Sequence, residues 1–274
     1  MSLIIDPDLA EVLCEAENSD LHILIDHITD QGKGRLALSS DVCEKLLEAK
    51  EKEQISGEIR FLIAEELHRF GGNTIMNIFR GGRGVPYREI ATDVASHLKA
   101  PYNDKNSCEQ IEFAILMKVL EQSIDKMSED EKVDFFAQFG RDYTRGAGPA
   151  VMAALIASIK FSGFAAYKLA AVVANSAAKA ILGRGLTFGA TGGMMRGISA
   201  FAGPIGWGLT ALWTAYDLAS PAYRVTVPCV IQIAYMRQKM QSKSCPHCHA
   251  PVVSNAKFCN ECGGRINGAN FLLN

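Results

Sequence analysis

Eight cysteines occur in 274 residues, and four of them crowd the end of the chain: Cys245-Pro246-His247-Cys248, a gap of ten residues, then Cys259-Asn260-Glu261-Cys262-Gly263. Each Cys-x-x-Cys pair can fold into a tight knuckle offering two sulfurs, and two knuckles complete a tetrahedron. Four thiolates suit Zn²⁺ at roughly 2.3 Å. The predicted ligands are Cys245, Cys248, Cys259 and Cys262, which leaves His247 and His249 outside the shell. A shell closed by four protein ligands has no open position for substrate, so the expected role is structural. A piece this short lacks a core of its own, and metal binding is expected to drive its folding. A redox dithiol pair and an iron–sulfur centre use the same residue types and are the rival readings.

The remaining reactive side chains point away from catalysis. Cys14, Cys43, Cys108 and Cys229 are scattered and read as small buried hydrophobes. His22, His27, His68 and His97 match no His-Glu-x-x-His spacing, and no Gly-x-Ser-x-Gly elbow is present. Arg80-Gly81-Gly82-Arg83-Gly84 resembles an anion loop in composition, but it lacks Gly-Lys-Ser/Thr. A helix end turning into Pro86 explains the same residues. The acidic clusters Glu65-Glu66 and Glu129-Asp130-Glu131 read as solvated helix faces. The chain therefore reads as a non-enzyme, with no catalytic or cofactor-binding residue assigned besides the zinc ligands.

Charge divides the chain that must carry these cysteines. The net charge of −2 hides 15 Lys/Arg against 27 Asp/Glu in residues 1–140, 8 against 2 in 141–236, and 5 against 1 in 237–274. Bulk charge thus excludes a general polyanion binder. The expected domains are an acidic helical bundle (1–140), an apolar, Gly/Ala-rich, basic helical region (141–243) and a small zinc module (244–268). The fold class is mainly α. Asp6-Pro7 reads as an N-cap and first helical residue. Ser19 is expected to cap a helix with Leu21, Leu24, Ile25 and Ile28 on one face, ended by Gly32 and Gly34. Ser40 opens another, and a fourth runs from about Gly57 to Phe70. Ser107 with Gln110, and Ser128 with Glu131, are capping-box pairs. Phe113, Leu116, Met117, Leu120, Ile124 and Met127 recur at helical spacing behind the first of these.

From Gly146 the composition changes. Lys160, Lys168 and Lys179 fall within one 100° arc of an otherwise apolar helix and are expected to form a polar stripe. Gly185, Gly189, Gly193 and Gly197 repeat at spacing four, a face for close helix approach and self-association. In water each glycine costs about 0.8–1.0 kcal/mol relative to alanine in a helix, which tight packing must offset. A flexible glycine-rich loop is the alternative. Gly197–Tyr216 is uncharged over 20 residues, long enough to cross a bilayer, yet it contains Pro204 and four glycines. Ile159–Ala178 would place Lys168 near the bilayer centre. Val225–Met236 is too short and contains Pro228. Three states fit: a buried hairpin, a membrane-surface element with lysines toward anionic headgroups, or triggered insertion. A mean hydropathy of +0.06 argues against a constitutive polytopic membrane protein. Met1–Ala10 lacks the basic, apolar pattern of a secretory signal. The expected location is cytoplasmic, with the inner membrane as a candidate surface, and thiols there stay reduced.

Two resemblances add to this reading. CPHCHAPVVSNAKFCNECGGRI, from Cys245, is similar to short zinc ribbons of the CPxCG…CxxCG pattern, departing from it at His249, where glycine is usual. Such modules mediate protein or nucleic-acid contacts. Lys239, Lys243, Lys257 and Arg265 allow weak phosphate attraction, but no aromatic stacking platform is evident, so nucleic acid is not an expected partner. Residues 1–240 resemble the YaaW-like family of bacterial proteins through DPDL at Asp6, DLHILIDHITD from Asp20, ELHRFGGNTIMNIFRGGRGVPYREI from Glu66 and GPIGWGLTALWTAYDLASPAYRVTVPCVIQIAYMR from Gly203. That family is related to ubiquinol–cytochrome c chaperones, helical assembly factors for a membrane complex. The resemblance implies a non-enzymatic, chaperone- or assembly-factor-like adaptor with a protein partner, and it transfers no catalytic residues. The alternative is a membrane-inserting effector acting through the glycine-spaced segment.

Overall fold

The structure is a computed structural model that describes residues 5–35, 37–72, 84–159, 164–186, 204–206, 222–248, 251–253, 256–259 and 262–266. Its elements in chain order are α1 (Pro7–Glu15), α2 (Asn18–Thr29), α3 (Ser40–Glu51), α4 (Gly57–Gly71), α5 (Tyr87–His97), α6 (Cys108–Ile124), α7 (Glu129–Gln138), α8 (Pro149–Ala157), α9 (Phe164–Leu182), α10 (Tyr223–Met240), β1 (Ser242–Ser244) and β2 (Pro251–Val253). The fold is mainly α, as the sequence implies.

Local chemistry sets most helix starts. Asp6 caps α1 by accepting from the Asp8 N–H at 3.0 Å, with Pro7 at the first position. Ser107 with Gln110, and Ser128 with Glu131, form complete capping boxes on α6 and α7. Ser40 opens α3 as expected, and Ser39 before it is the cap, accepting from the Val42 N–H. One start differs from expectation. Glu17, not Ser19, is the N-cap of α2 and makes no side-chain cap bond. Its carbonyl takes the Asp20 and Leu21 N–H groups, so α2 begins before the serine.

The core is organised around α10. This helix packs against α1, α2, α4, α5, α6 and α9, and it is buried from Val225 to Gln238. A helix covered on all sides belongs in a core, and its polar residues there must find partners. Here the core takes it, in one hydrophobic cluster that runs from Leu9 to Met236. Pro228 lies inside α10. An interior proline costs roughly 3 kcal/mol, and burial of the surrounding run offsets this.

The Lys160–Lys168–Lys179 stripe does not form as expected. Lys168 is 6% exposed. Its Nζ donates to the Gln138 carbonyl at 2.8 Å and lies 4.9 Å from the Phe164 ring centre. The reason is tertiary: α9 packs against both α10 and α6, so its covered arc is wider than one face. Lys179 is exposed and Lys160 is outside the described residues.

Gly185 is likewise not part of a helical glycine face. The helix has ended at Leu182, and Gly183 has φ +70°. A Cβ on Gly185 would sit 2.5 Å from Asn175 Oδ1, the oxygen that accepts from the Leu186 N–H at 3.0 Å. Its glycine thus permits close approach to a side chain. Gly189, Gly193 and Gly197 lie outside the described residues, as does 197–216 apart from 204–206. Among the described residues, no helix is long and apolar enough to cross a membrane.

Candidate metal centre

The four C-terminal cysteines converge. Their sulfurs all lie within 4.8 Å of one another. The Cys245–Cys262 pair is at 3.8 Å and the Cys248–Cys259 pair at 3.6 Å. No disulfide joins any of the eight cysteines. A tetrahedral site with metal–sulfur bonds of about 2.3 Å has sulfur–sulfur edges of about 3.8 Å. The donor set therefore fits one zinc-sized ion, and each of these two pairs takes one sulfur from each knuckle.

Backbone geometry builds this cluster. β1 and β2 pair antiparallel, with Ser242 opposite Val253, Lys243 opposite Val252 and Ser244 opposite Pro251. They flank the first knuckle, where the His247 N–H donates to Cys245 Sγ at 3.4 Å. In the second, the Cys259 N–H donates to Gly264 O at 2.8 Å and the Gly263 N–H to Cys259 O at 2.9 Å. Gly263, at φ +70°, takes the left-handed turn that such a knuckle needs. A Cβ on Gly264 would come 2.5 Å from the His247 ring. That ring's Nε2 is 3.2 Å from the Arg265 carbonyl, an alternative engagement to the metal shell.

Burial raises the Cys245 thiol's pKa, but the Cys248 and His247 N–H groups and the neighbouring thiols outweigh it and bring it to about 6. Thiolate is the metal-binding form. Beyond the sulfurs, the ribbon's buried cluster contains only Val252, flanked by Ala256 and Ile266. So small an apolar centre supplies little folding energy of its own.

The ribbon is mounted on a clamped helix end, which the sequence did not reveal. Arg237 Nε donates to Glu112 Oε2 at 2.9 Å and Nη2 to Glu112 Oε1 at 3.0 Å. The same Nη2 donates to the Asp8 carbonyl at 2.8 Å. Tyr87 donates its hydroxyl to Glu112 at 2.7 Å. Gln238 donates to Glu109 at 2.9 Å. Lys239 reaches both Glu17 and Asp20 at 2.8 Å. Three consecutive side chains thus tie the last turn of α10 to α1, α2 and α6, and α5 joins through Tyr87 on Glu112; this turn ends at Met240, five residues before Cys245. Glu112 is 2% exposed. Burial pushes its carboxyl above the usual range, against the pull of Arg237 and Tyr87.

The other candidates resolve as structural. Cys43, Cys108 and Cys229 are buried, and burial pushes the last two up to about 12. Cys14 departs from expectation and is exposed, because it falls between the buried positions Val12 and Leu13 and the end of α1. Glu66 is also no solvated acid. It is 1% exposed and pairs with Arg69 at 2.8 Å, one turn along α4. Glu129 accepts from Lys132, Tyr143 and the Gly146 N–H, which hold it down to about 2. His27 is buried and held neutral, with its pKa lowered to about 3 by burial. His68 lies 3.2 Å from Asp6 Oδ2, which also accepts from the Tyr87 N–H at 2.7 Å. These bonds, joined by that from Asp8, overcome burial and keep Asp6 below its usual range. Residues 80–83 of the glycine-arginine loop lie outside the described residues.

A helical body with a four-cysteine ribbon on its last helix defines the class of protein. Residues 58–231 match the family described as Ubiquinol-cytochrome C chaperone, and residues 244–266 match the zinc-ribbon domain. A UPF0174 protein of Helicobacter pylori strain J99 is 37% identical over 237 residues, covering 86% of this chain and 92% of the relative. The UPF0174 protein YaaW of Escherichia coli K12 is 32% identical over 183 residues, or 66% of this chain and 72% of the relative. No solved structure matches. The chain belongs to the ubiquinol-cytochrome C chaperone family and is a relative of the UPF0174 proteins, with a zinc-ribbon domain at residues 244–266.

Proposed function

We propose that this chain is a non-enzymatic, chaperone- or assembly-factor-like adaptor that holds one Zn²⁺ through Cys245, Cys248, Cys259 and Cys262. Zinc folds the ribbon, and the folded ribbon serves as a docking element for a protein partner. In this reading 1–140 is the acidic support, 141–243 supplies α9 and α10 to the core it shares with that support, and 244–268 is the ribbon. The observation that carries it is the sulfur cluster itself: four donors at tetrahedral spacing, set five residues beyond a helix turn pinned by Arg237, Gln238 and Lys239. A closed tetrathiolate shell supports a structural ion rather than a reaction centre. The printed family description, which names a chaperone, supports a protein partner.

The test is affinity purification of the tagged chain from its native host, with quantitative mass spectrometry. Wild type is compared with Cys245→Ser/Cys248→Ser. One protein is expected at near-equal stoichiometry with wild type and lost with the variant. An unchanged partner set would remove the ribbon from the interface. Leakage of liposomes by the pure chain, without a stoichiometric partner, would replace the adaptor with a membrane effector.

A further inference from the structure

We propose that the groove between the 32–38 loop and α3 docks a helical segment of a protein partner, one that carries aliphatic anchors beside lysine or arginine; this site lies on the helical body, goes beyond the ribbon and does not depend on its zinc. The groove has a volume of about 770 Å³, with the loop as one wall and α3 as the other. At 100° per residue, Ser40, Glu44, Leu47 and Glu51 fall within an arc of about 60° on α3, with Cys43 at one margin and Glu48 at the other. All six line the groove. Cys43 and Leu38 are buried and Leu47 is half-buried, so the floor is apolar. Glu44, Glu48 and Glu51 are exposed and form an acidic rim.

The charges in the loop do not cancel this rim. Arg35 is turned inward: its Nε donates to the Ile28 carbonyl at 3.1 Å and its Nη2 to the His27 carbonyl at 3.0 Å, with Asp30 at 3.8 Å. Glu48 is taken by Lys52, one turn along the helix. Glu44 and Glu51 have no ion-pair partner among the described residues, and Lys33 is the one loop cation left to face them. The groove also sits in the half of the chain that holds 27 acidic against 15 basic residues. Charge complementarity therefore favours a cationic flank and repels an acidic one.

Shape favours a helix over a small molecule. Ser40 to Glu51 spans about 16 Å at 1.5 Å per residue, the length of three turns of a second helix. Small-molecule sites enclose most of their ligand, whereas this groove is open along its exposed rim. Grooves that take an amphipathic helix read anchors three and four residues apart, and the floor and rim positions of α3 repeat at that spacing.

The test uses the zinc-loaded full chain and three fluorescein-labelled eighteen-residue peptides of helical pattern, read by fluorescence anisotropy. The first combines leucine with lysine, the second leucine with glutamate, and the third serine with lysine. Binding is expected for the first alone. Glu44→Gln/Glu51→Gln should weaken it by roughly 2- to 30-fold, the span of two exposed ion pairs, and Glu44→Lys/Glu51→Lys should abolish it. Glu11→Lys/Glu15→Lys makes the same change of net charge at exposed positions of α1, outside the groove, and should retain binding. Cys245→Ser/Cys248→Ser should also retain it, which separates failure here from failure of the ribbon reading. Circular dichroism on every variant separates loss of the site from loss of the fold. Absence of binding by the leucine–lysine peptide at low salt would overturn the proposal. So would equal affinity for the serine–lysine peptide, or an equal loss in the α1 variant, since either would reduce the contact to bulk charge. Loss of binding in the ribbon variant with its helices intact would move the site to the ribbon and overturn it too. A dimer in sedimentation that Glu44→Lys/Glu51→Lys dissociates would overturn it by assigning the groove to a second copy of the chain.

Discussion

Replacing Arg237 with Met tests the clamp beneath the ribbon. The substitution keeps an unbranched side chain of similar length in α10. It removes both donors to Glu112 and the donor to the Asp8 carbonyl. Glu112, 2% exposed, is left with the Tyr87 hydroxyl as its remaining bond among those described. Stripping one partner from a buried ion pair costs about 3–5 kcal/mol, because the surviving charge stays desolvated. Glu112 can limit that cost by taking a proton. Burial already raises its pKa in the folded chain, and loss of the guanidinium raises it further. The folded variant then binds a proton that the unfolded chain, with an ordinary carboxyl, has released. Its stability therefore falls as pH rises above the usual carboxylate range. Urea unfolding followed by far-UV circular dichroism at pH 5 and pH 8 measures this. A cost near 3–5 kcal/mol is expected at pH 8, with a smaller cost at pH 5. Arg237→Met/Glu112→Gln, which has no charge to strand, should recover part of the loss at pH 8. A cost below about 1 kcal/mol at pH 8, or one independent of pH, would refute the buried-charge reasoning.

Three further outcomes follow from single sites. His27 stays neutral down to about pH 3 while the unfolded side chain takes up its proton near pH 6.5, so stability drops by about 1.4 kcal/mol per pH unit on acidification between those values. His27→Gln should flatten the stability curve between pH 6 and 4 by that slope, and an unchanged slope would show that His27 titrates normally when folded. Gly84→Ala places a Cβ 2.5 Å from His68 Cβ and 2.8 Å from its carbonyl carbon; a loss of about 1–3 kcal/mol in urea unfolding is expected, and an unmoved midpoint would contradict the close packing. Cys245→Ser should abolish zinc binding and disorder the ribbon while sparing most helical ellipticity, because the ribbon and the helical body bury separate clusters. Collapse of the whole helical signal would show that they fold as one.

The sequence displayed features whose physics is local. A capping box needs residues three apart, so Ser107–Gln110 and Ser128–Glu131 are readable without a fold. The two Cys-x-x-Cys pairs announce their cluster for the same reason. What stayed hidden depends on packing. Lys168 occupies a polar position on a wheel, yet α9 is enclosed by two neighbours and its amine meets the Gln138 carbonyl instead of water. Glu112 and Arg237 are 125 residues apart, and in sequence each looks like an ordinary surface charge. Val225–Met236, with a proline inside it, reads as a broken apolar run until six helices are seen to surround it. Phe258 gave no sign of exposure, since the ribbon's strand register alone turns it outward.

Zinc and thiol counting on the same purified, full-length sample tests the central claim most directly. Inductively coupled plasma mass spectrometry should find one zinc per chain. Addition of a strong chelator should release that zinc and free four further thiols for alkylation, mapped to Cys245, Cys248, Cys259 and Cys262. A zinc-free chain with an ordered tail, iron in place of zinc, or four thiols equally reactive before and after chelation would contradict a ribbon held by a structural zinc ion.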